Sequence, residues 1–267
     1  MKTFRVLTPL ALLVGSALAF SSCEKKQEVV AQNEVSEETI SQIRTLGFST
    51  QDVKKTDGGV LVEGDILLDN ELLASTPEYS MLRVGQEEQY RTTNVVTGLP
   101  RSISISVSSS LPSAYVTATD EVIRRYNAEN LRLTFRRVAS GGNIQIVAAP
   151  SGSGYLAAAG FPSGGNPYNR VQVNRQAIGT ANATTYIATI LAHEVGHCIG
   201  FRHTDYANRA YSCGGQAVNE GASTVGAIRI PGTPAGPDPN SWMLACIGSG
   251  GNRPFNANDR TALGYIY

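Results

Sequence analysis

Charge is scarce in this chain of 267 residues, and what there is cancels: 22 Lys and Arg stand against 22 Asp and Glu, and charged residues make up only 16%. A net charge of zero leaves no global field to draw the molecule onto nucleic acid or an anionic membrane, so neither is an expected partner. Histidine is rarer still, at three residues, with four cysteines, three methionines and one tryptophan. There is no internal repeat, no run of acidic ligands such as an EF-hand loop, and no apolar run beyond the N-terminus long enough to cross a membrane. What is present is 42% hydrophobic residues, which argues against a chain disordered throughout, and 27 Gly with 12 Pro, which predict long irregular connections. The length suits one good-sized domain plus a short appendage.

The exceptional apolar run lies at the start. Lys2 and Arg5 precede Leu7 through Ala19, a stretch too short to span a bilayer comfortably, which reads as a secretory signal peptide over residues 1–22. Two processing routes fit. Ala17-Leu18-Ala19 obeys the small-x-small rule and would release a soluble, secreted protein. Phe20-Ser21-Ser22-Cys23 looks like the lipobox of bacterial lipoproteins, although Phe20 stands where Leu is usual, and this route is favoured. Lipidation at Cys23 would make an outer-membrane or cell-surface lipoprotein, with membrane contact only through the anchor. Both routes take the chain out of the cytoplasm. An oxidising compartment permits one disulfide among Cys198, Cys213 and Cys246, and the sequence does not choose the pair.

Residues 23–35 are polar and unpatterned, a tether. Residues 36–100 form an N-terminal pro-like or accessory segment: a short helix over Ser36 to Leu46, capped by Ser36, then an extended or strand–turn–strand stretch at Val60–Leu68. Residues 70 to 100 are poorly patterned. The main domain spans 101–267. Alternation predicts strands at Ser102–Ser108, Leu131–Val138 and Asn143–Ala148, with shorter ones at Tyr155–Phe161 and Arg170–Asn174. Helices are predicted over Pro112–Asn127, Asn182–Ile199 and Asn256–Tyr267, the last after a long Gly/Pro-rich stretch. The class is α+β.

The second of those helices carries His193-Glu194-Val195-Gly196-His197, and the chain continues Cys198-Ile199-Gly200-Phe201-Arg202-His203. Histidines four apart on a helix project from one face, so His193 and His197 can share an ion. Gly200 can end the helix in a left-handed conformation and return His203 as a third ligand. Three ligands leave a fourth position open, as catalytic zinc requires. All three histidines of the chain fall within this one short stretch, an arrangement that core histidines would not need. Cys198 beside His197 is a conceivable thiolate ligand, but the set is complete without it.

The string HEVGHCIGFRHTD, with Ser241-Trp242-Met243 downstream, resembles the dual-action HEIGH metallopeptidases, a bacterial branch of the metzincins. The resemblance covers roughly residues 100 to 267. It implies a metzincin-like zincin domain: a five-stranded mixed sheet, an active-site helix, a Met-turn at Met243 packed beneath the metal, and a C-terminal helix. It implies one Zn2+ held by His193, His197 and His203, and hydrolysis of a protein or peptide substrate by a zinc-activated water with Glu194 as general base. Substrate is expected to pair with the Tyr155–Phe161 edge strand, and specificity is expected in the loop between Asp205 and Met243. Departures exist. Thr204-Asp205 follows the third His where astacins have Glu, and Ala245 stands where they carry a metal-joining Tyr, so no tyrosine switch is expected. Tyr206, Tyr211, Tyr265 and Tyr267 are candidates to stabilise a transition state, though packing explains each. Glu63-Gly64-Asp65-Ile66 is similar to the pro-segment motif of astacins, which makes Asp65 a candidate inhibitory latch beside the plain reading of a Gly-Asp turn.

Two other functions stay in view. A degenerate scaffold used only for binding would have no need of Glu194. A structural zinc site would need a fourth protein ligand, for which Asp205 is the nearby sequence candidate.

Overall fold

The computed structural model describes residues 35–74, 89–221, 226–234 and 236–267; the signal, lipidation and most of the tether readings, Cys23 included, lie outside them. In chain order the elements are α1 (Glu37–Thr45), β1 (Lys54–Thr56), β2 (Gly59–Val62), β3 (Ile66–Asp69), α2 (Asn70–Leu73), β4 (Tyr90–Arg91), β5 (Arg101–Val107), α3 (Ser113–Asn127), β6 (Leu133–Arg137), β7 (Ile144–Ala148), β8 (Ala157–Ala159), β9 (Arg170–Val173), α4 (Arg175–Ile178), α5 (Thr184–Cys198), α6 (Ala210–Cys213), β10 (Ile228–Arg229) and α7 (Ala257–Ile266).

The main sheet runs β1-β2-β3-β8-β9-β7-β5-β6. The five expected strands form its β8-to-β6 part, with β6, β5, β7 and β9 parallel and β8 antiparallel to β9. The expectation of a five-stranded sheet needs correction, because the sheet has eight strands. The β1–β3 meander of the N-terminal segment pairs onto β8, Ile66 opposite Ala159 in parallel register, and so extends the sheet past the edge that sequence alone left open.

Alternation explains the layers. Ile103 and Ile105 of β5, Leu133 and Phe135 of β6, and Ile144 and Ile146 of β7 face one side of the sheet, where α3 and α5 cover them. Helix α5 is buried from Tyr186 to Cys198, its polar His193, Glu194 and His197 included, where it packs on α3, β8 and β9. A smaller second core gathers Ile43, Leu46, Phe48, Val60, Val62, Ile66, Leu68 and Leu73 from the N-terminal segment, and Phe161 is its one buried contribution from the main domain. Among the described residues no helix is long and apolar enough to cross a membrane.

Helix α7 begins with a reciprocal cap: the Asn256 side chain accepts from Asp259 N–H, and the Asp259 carboxylate accepts from Asn256 N–H. Asp259 also accepts from Gln89 Nε2 at 2.7 Å, Ser241 Oγ at 2.9 Å and Trp242 N–H at 3.3 Å, which pins the turn at Met243 to the C-terminal helix. Burial pushes this carboxyl up to about 6, against the pull of those donors. A raised value means that the group's contribution is complete below about pH 4 and is lost as pH rises through about 6. Asp259→Asn turns an NH2 toward donors, so it should destabilise the protein by about 1–3 kcal/mol in urea unfolding. The gap to the parent should narrow between pH 4 and pH 7; a gap that widens would contradict this assignment.

Candidate metal centre

Two of the three histidines are set by helix geometry alone. His193 and His197 lie one turn apart on α5, and Gly196, the residue before His197, is where the turn at Met243 packs: a Cβ there would stand 2.5 Å from Met243 Sδ and 3.1 Å from Trp242 Nε1. The third depends on the turn after α5. Gly200 has φ +109°, and a Cβ on it would meet the Asn94 carbonyl at 2.9 Å. From there Arg202 N–H donates to the Tyr90 carbonyl and Thr92 N–H to the Gly200 carbonyl, so residues 90–92 guide the chain that presents His203. These bracing residues sit in the stretch that showed no pattern in the sequence.

The fourth member comes from the N-terminal segment. Glu63 and Gly64 both take positive φ in the β2–β3 turn, with Gly64 pressed against the Arg209 guanidinium, and this aims Asp65 at the histidines. Asp65 Oδ2 lies 3.1 Å from His203 Nε2 and 3.5 Å from His193 Nε2, and one ligand atom from each of Asp65, His193, His197 and His203 lies within 4.8 Å of all the others. The Asp205 carboxylate is not in the group; it accepts from Ser212 Oγ and from Ala245 N–H.

The donor set fits a cation. Each Nδ1 already has an acceptor: Trp242 carbonyl for His193 (2.9 Å), Phe201 carbonyl for His197 (2.8 Å) and the Glu220 carboxylate for His203 (2.9 and 3.1 Å). With the protons on Nδ1, the Nε2 lone pairs of His193 and His197 face each other at 3.0 Å with no proton between them. Only a positive centre makes that separation favourable. Ligand atoms held at 2.0–2.1 Å in a tetrahedron lie about 3.3 Å apart, near the spacings seen here. The charges agree. Burial and its two neighbouring histidines hold His197 well below the usual range. Burial opposes protonation of His203, yet Asp65 and Glu220 together hold it well above; on Asp65 burial is outweighed by His203 and His193, which keep it ionised.

Glu194 is buried beside the group, on the wall of the same cleft, and its Oε2 has no hydrogen-bond partner among the described residues. Burial, then the nearby Asp65, push it well above the usual carboxylate range. The cleft has a volume of about 690 Å³. Cys213 and Cys246 form a disulfide on its wall, which leaves Cys198 free and buried, its thiol pushed up by burial and turned toward the Arg170 carbonyl. None of the tyrosines singled out lines the cleft: Tyr206 stacks edge-on with Tyr90, Tyr211 and Tyr265 are exposed, and Tyr267 donates to the Ile199 carbonyl. Glu220 was not foreseen, since seventeen residues separate it from His203 and nothing local marks it.

A family model described as the dual-action HEIGH metallopeptidase matches residues 60–267. No curated protein matches the sequence. Among solved structures, two of myroilysin align: one at 14% identity, covering 66% of this chain and 86% of that one with a TM-score of 0.42, the other at 14% identity, covering 67% and 98% with a TM-score of 0.45.

The carboxylate behind His203 orients its ring and raises its basicity. Glu220→Gln and Glu220→Ala should weaken zinc binding by about 10- to 100-fold, the amide at the low end, as read by competition with a chromophoric chelator while the circular dichroism stays unchanged. Unchanged zinc affinity in both variants would show that His203 is held without Glu220.

Proposed function

The chain belongs to the dual-action HEIGH metallopeptidase family, and we propose that it is an extracytoplasmic zinc endopeptidase with Glu194 as its general base and Asp65 as its built-in latch. Family membership makes it a metallopeptidase that hydrolyses peptide bonds and implies zinc, for which His193, His197, His203 and Asp65 form a group able to bind one ion. The observation that carries the finer reading is the convergence of three Nε2 atoms whose Nδ1 atoms are all engaged, with an unpartnered carboxylate oxygen of Glu194 on the same cleft wall.

When bound, zinc supplies a Lewis acid that polarises the scissile carbonyl and acidifies water. The rest is the work of the chain. Trp242, Phe201 and Glu220 fix the tautomer and tilt of the three imidazoles, so that each presents a lone pair and none needs to reorient. Glu194 is short of hydrogen bonds and desolvated, which raises its affinity for a proton; it takes one from the attacking water and delivers it to the departing amine nitrogen. Met243, lodged against Gly196, the residue before His197, supports a metzincin arrangement with a Met-turn.

Asp65 occupies the position that substrate would need. Its backbone carbonyl accepts from Ala159 N–H, so the N-terminal strand also takes the β8 edge on which an extended peptide would pair. On this reading the β2–β3 turn that carries Asp65 holds the enzyme closed, and substrate enters once the latch lifts. The lipobox-like Ser21-Ser22-Cys23 and a disulfide further along the chain favour lipidation at Cys23 and export; Cys23→Ser should then move the protein from the membrane fraction to the soluble one, and retention would refute the anchor.

Cleavage of a diverse peptide library, read by mass spectrometry, tests the mechanism. Glu194→Gln should lose about 10²- to 10⁴-fold in rate with zinc still bound. Asp65→Asn should raise the rate at least tenfold, because a charged ligand's hold is weakened by about 1.5–3 kcal/mol. Full activity in Glu194→Gln would remove the base, and an unchanged rate in Asp65→Asn would remove the latch.

A further inference from the structure

Three cationic side chains line the cleft: Lys54, Arg209 and Arg253. Lys54 belongs to the N-terminal meander, and Arg209 is engaged with the Glu63 carbonyl and with Cys213 Sγ. Arg253 differs. Its backbone N–H donates to Thr189 Oγ1 at 3.0 Å and its Nη1 to the Cys246 carbonyl at 2.8 Å, and among the described residues it has no ion pair. Nε and Nη2, one edge of the planar fork, have no partner among the described residues. Of the two carboxylates that act on its charge, Asp205 has the larger effect and is committed to Ser212 and Ala245.

Its place is defined by α5. Thr189 stands one turn before His193, about 5–6 Å along the helix axis. Ile190, Leu244, Ala245 and Ile247 give apolar surface to the same cleft, which Asp52, Glu63, Asp65, Glu194 and Glu220 also line. A half-buried guanidinium with no ion pair among the described residues, on the cleft that His193 and Glu194 also line, is an anion-recognition element whose ligand has yet to arrive. Burial holds its pKa below the usual arginine range, since Asp205 and Asp259 offset the desolvation only in part.

We propose that Arg253 is a specificity-determining residue that binds a substrate carboxylate at one fixed position beside the scissile bond. The inference rests on the peptidase reading given above. Its carboxylate has two possible sources, an Asp or Glu side chain or the C-terminus of the peptide; both would pair with the free edge of the fork. The loop from Asp205 to Met243, where specificity was expected from sequence, supplies Arg209 and Ala210 to the same cleft, but Arg253 comes from beyond it.

The test uses the zinc-loaded full chain carrying Asp65→Asn, alone and with Arg253→Gln or Arg253→Glu, on a library of peptides with free and amidated C-termini. With Arg253 present, cuts should concentrate beside Asp or Glu by about tenfold or more, the scale of one charge-assisted hydrogen bond. Arg253→Gln should erase that preference, and Arg253→Glu should replace it with Lys or Arg, a swap that loss of the brace to Cys246 would not produce. Cuts confined to peptide ends and abolished by amidation would assign the terminal carboxylate instead. Cuts indifferent to both carboxylates, or a preference that survives Arg253→Gln, overturn the inference and leave the peptidase reading standing. Binding is measured alongside, by calorimetry with two peptide hydroxamates differing only in Asp against Asn. If nothing is cut yet the Asp compound binds at least tenfold better and loses this advantage in Arg253→Gln, the proposed catalytic reading fails while the carboxylate site holds. Equal binding of the pair overturns the site.

Discussion

Two imidazole nitrogens, each with its lone pair exposed, are held 3.0 Å apart in a buried place. Like any enforced contact between electron-rich atoms, this is unfavourable until a cation sits between them, and much of the molecule is arranged around that condition. The sheet and α3 both pack against α5 in one core, which holds the helix in place. Gly196 admits the Met243 turn against the helix, Gly200 admits the reversal that brings His203 back, and α7 ties the Met243 turn down through Asp259. Each local exception to regular structure in this region serves to keep three nitrogens convergent.

The N-terminal segment joins this centre at two distances. Asp65 reaches the histidines themselves, while two residues earlier Glu63 forms a buried pair with Arg202 at 3.0 Å. Arg202 is almost wholly buried, lies against the rings of Phe48 and Tyr206, and shares its charge with Glu220 at 4.0 Å. Burial pushes Glu63 up to about 8 although Arg202 pulls it down. Breaking such a pair by removing one partner leaves an uncompensated charge, at a cost of about 3–5 kcal/mol. The segment is therefore fastened next to the candidate metal centre as well as in it, and the carboxylate that would take over Arg202 is the one that meets His203.

Much of this was legible in the sequence because it is local. The i, i+4 histidines, the glycine at the reversal and the alternating strands each depend on neighbours within a few residues, and the helix bounds of α3, α5 and α7 follow within one or two positions. What escaped reading depends on long-range pairing. Residues 90–92 carry no periodicity, yet β4 pairs with β10 and braces the turn before His203. Glu220 and Arg253 are single charged residues in Gly/Pro-rich stretches, and only the folded chain shows which of them meets a histidine and which meets a cleft. The meander at 54–69 was visible as extended chain, but attachment to β8 is a register choice between distant strands. The disulfide had three possible pairings, and only placement of Cys198 inside the core selects Cys213 with Cys246.

The chain contains a single tryptophan, and it is set at the centre of this arrangement. Trp242 is fully buried, its indole N–H donates to the Ala192 carbonyl of α5, its own carbonyl receives His193 Nδ1, and Phe201 and Phe255 close on its ring at 5.0 and 5.2 Å. The protein thus carries one indole chromophore, whose residue is joined by a hydrogen bond to a ring of the candidate metal centre. Its emission is a native optical gauge of the centre, installed without a label and free of competing tryptophan signals from elsewhere in the chain.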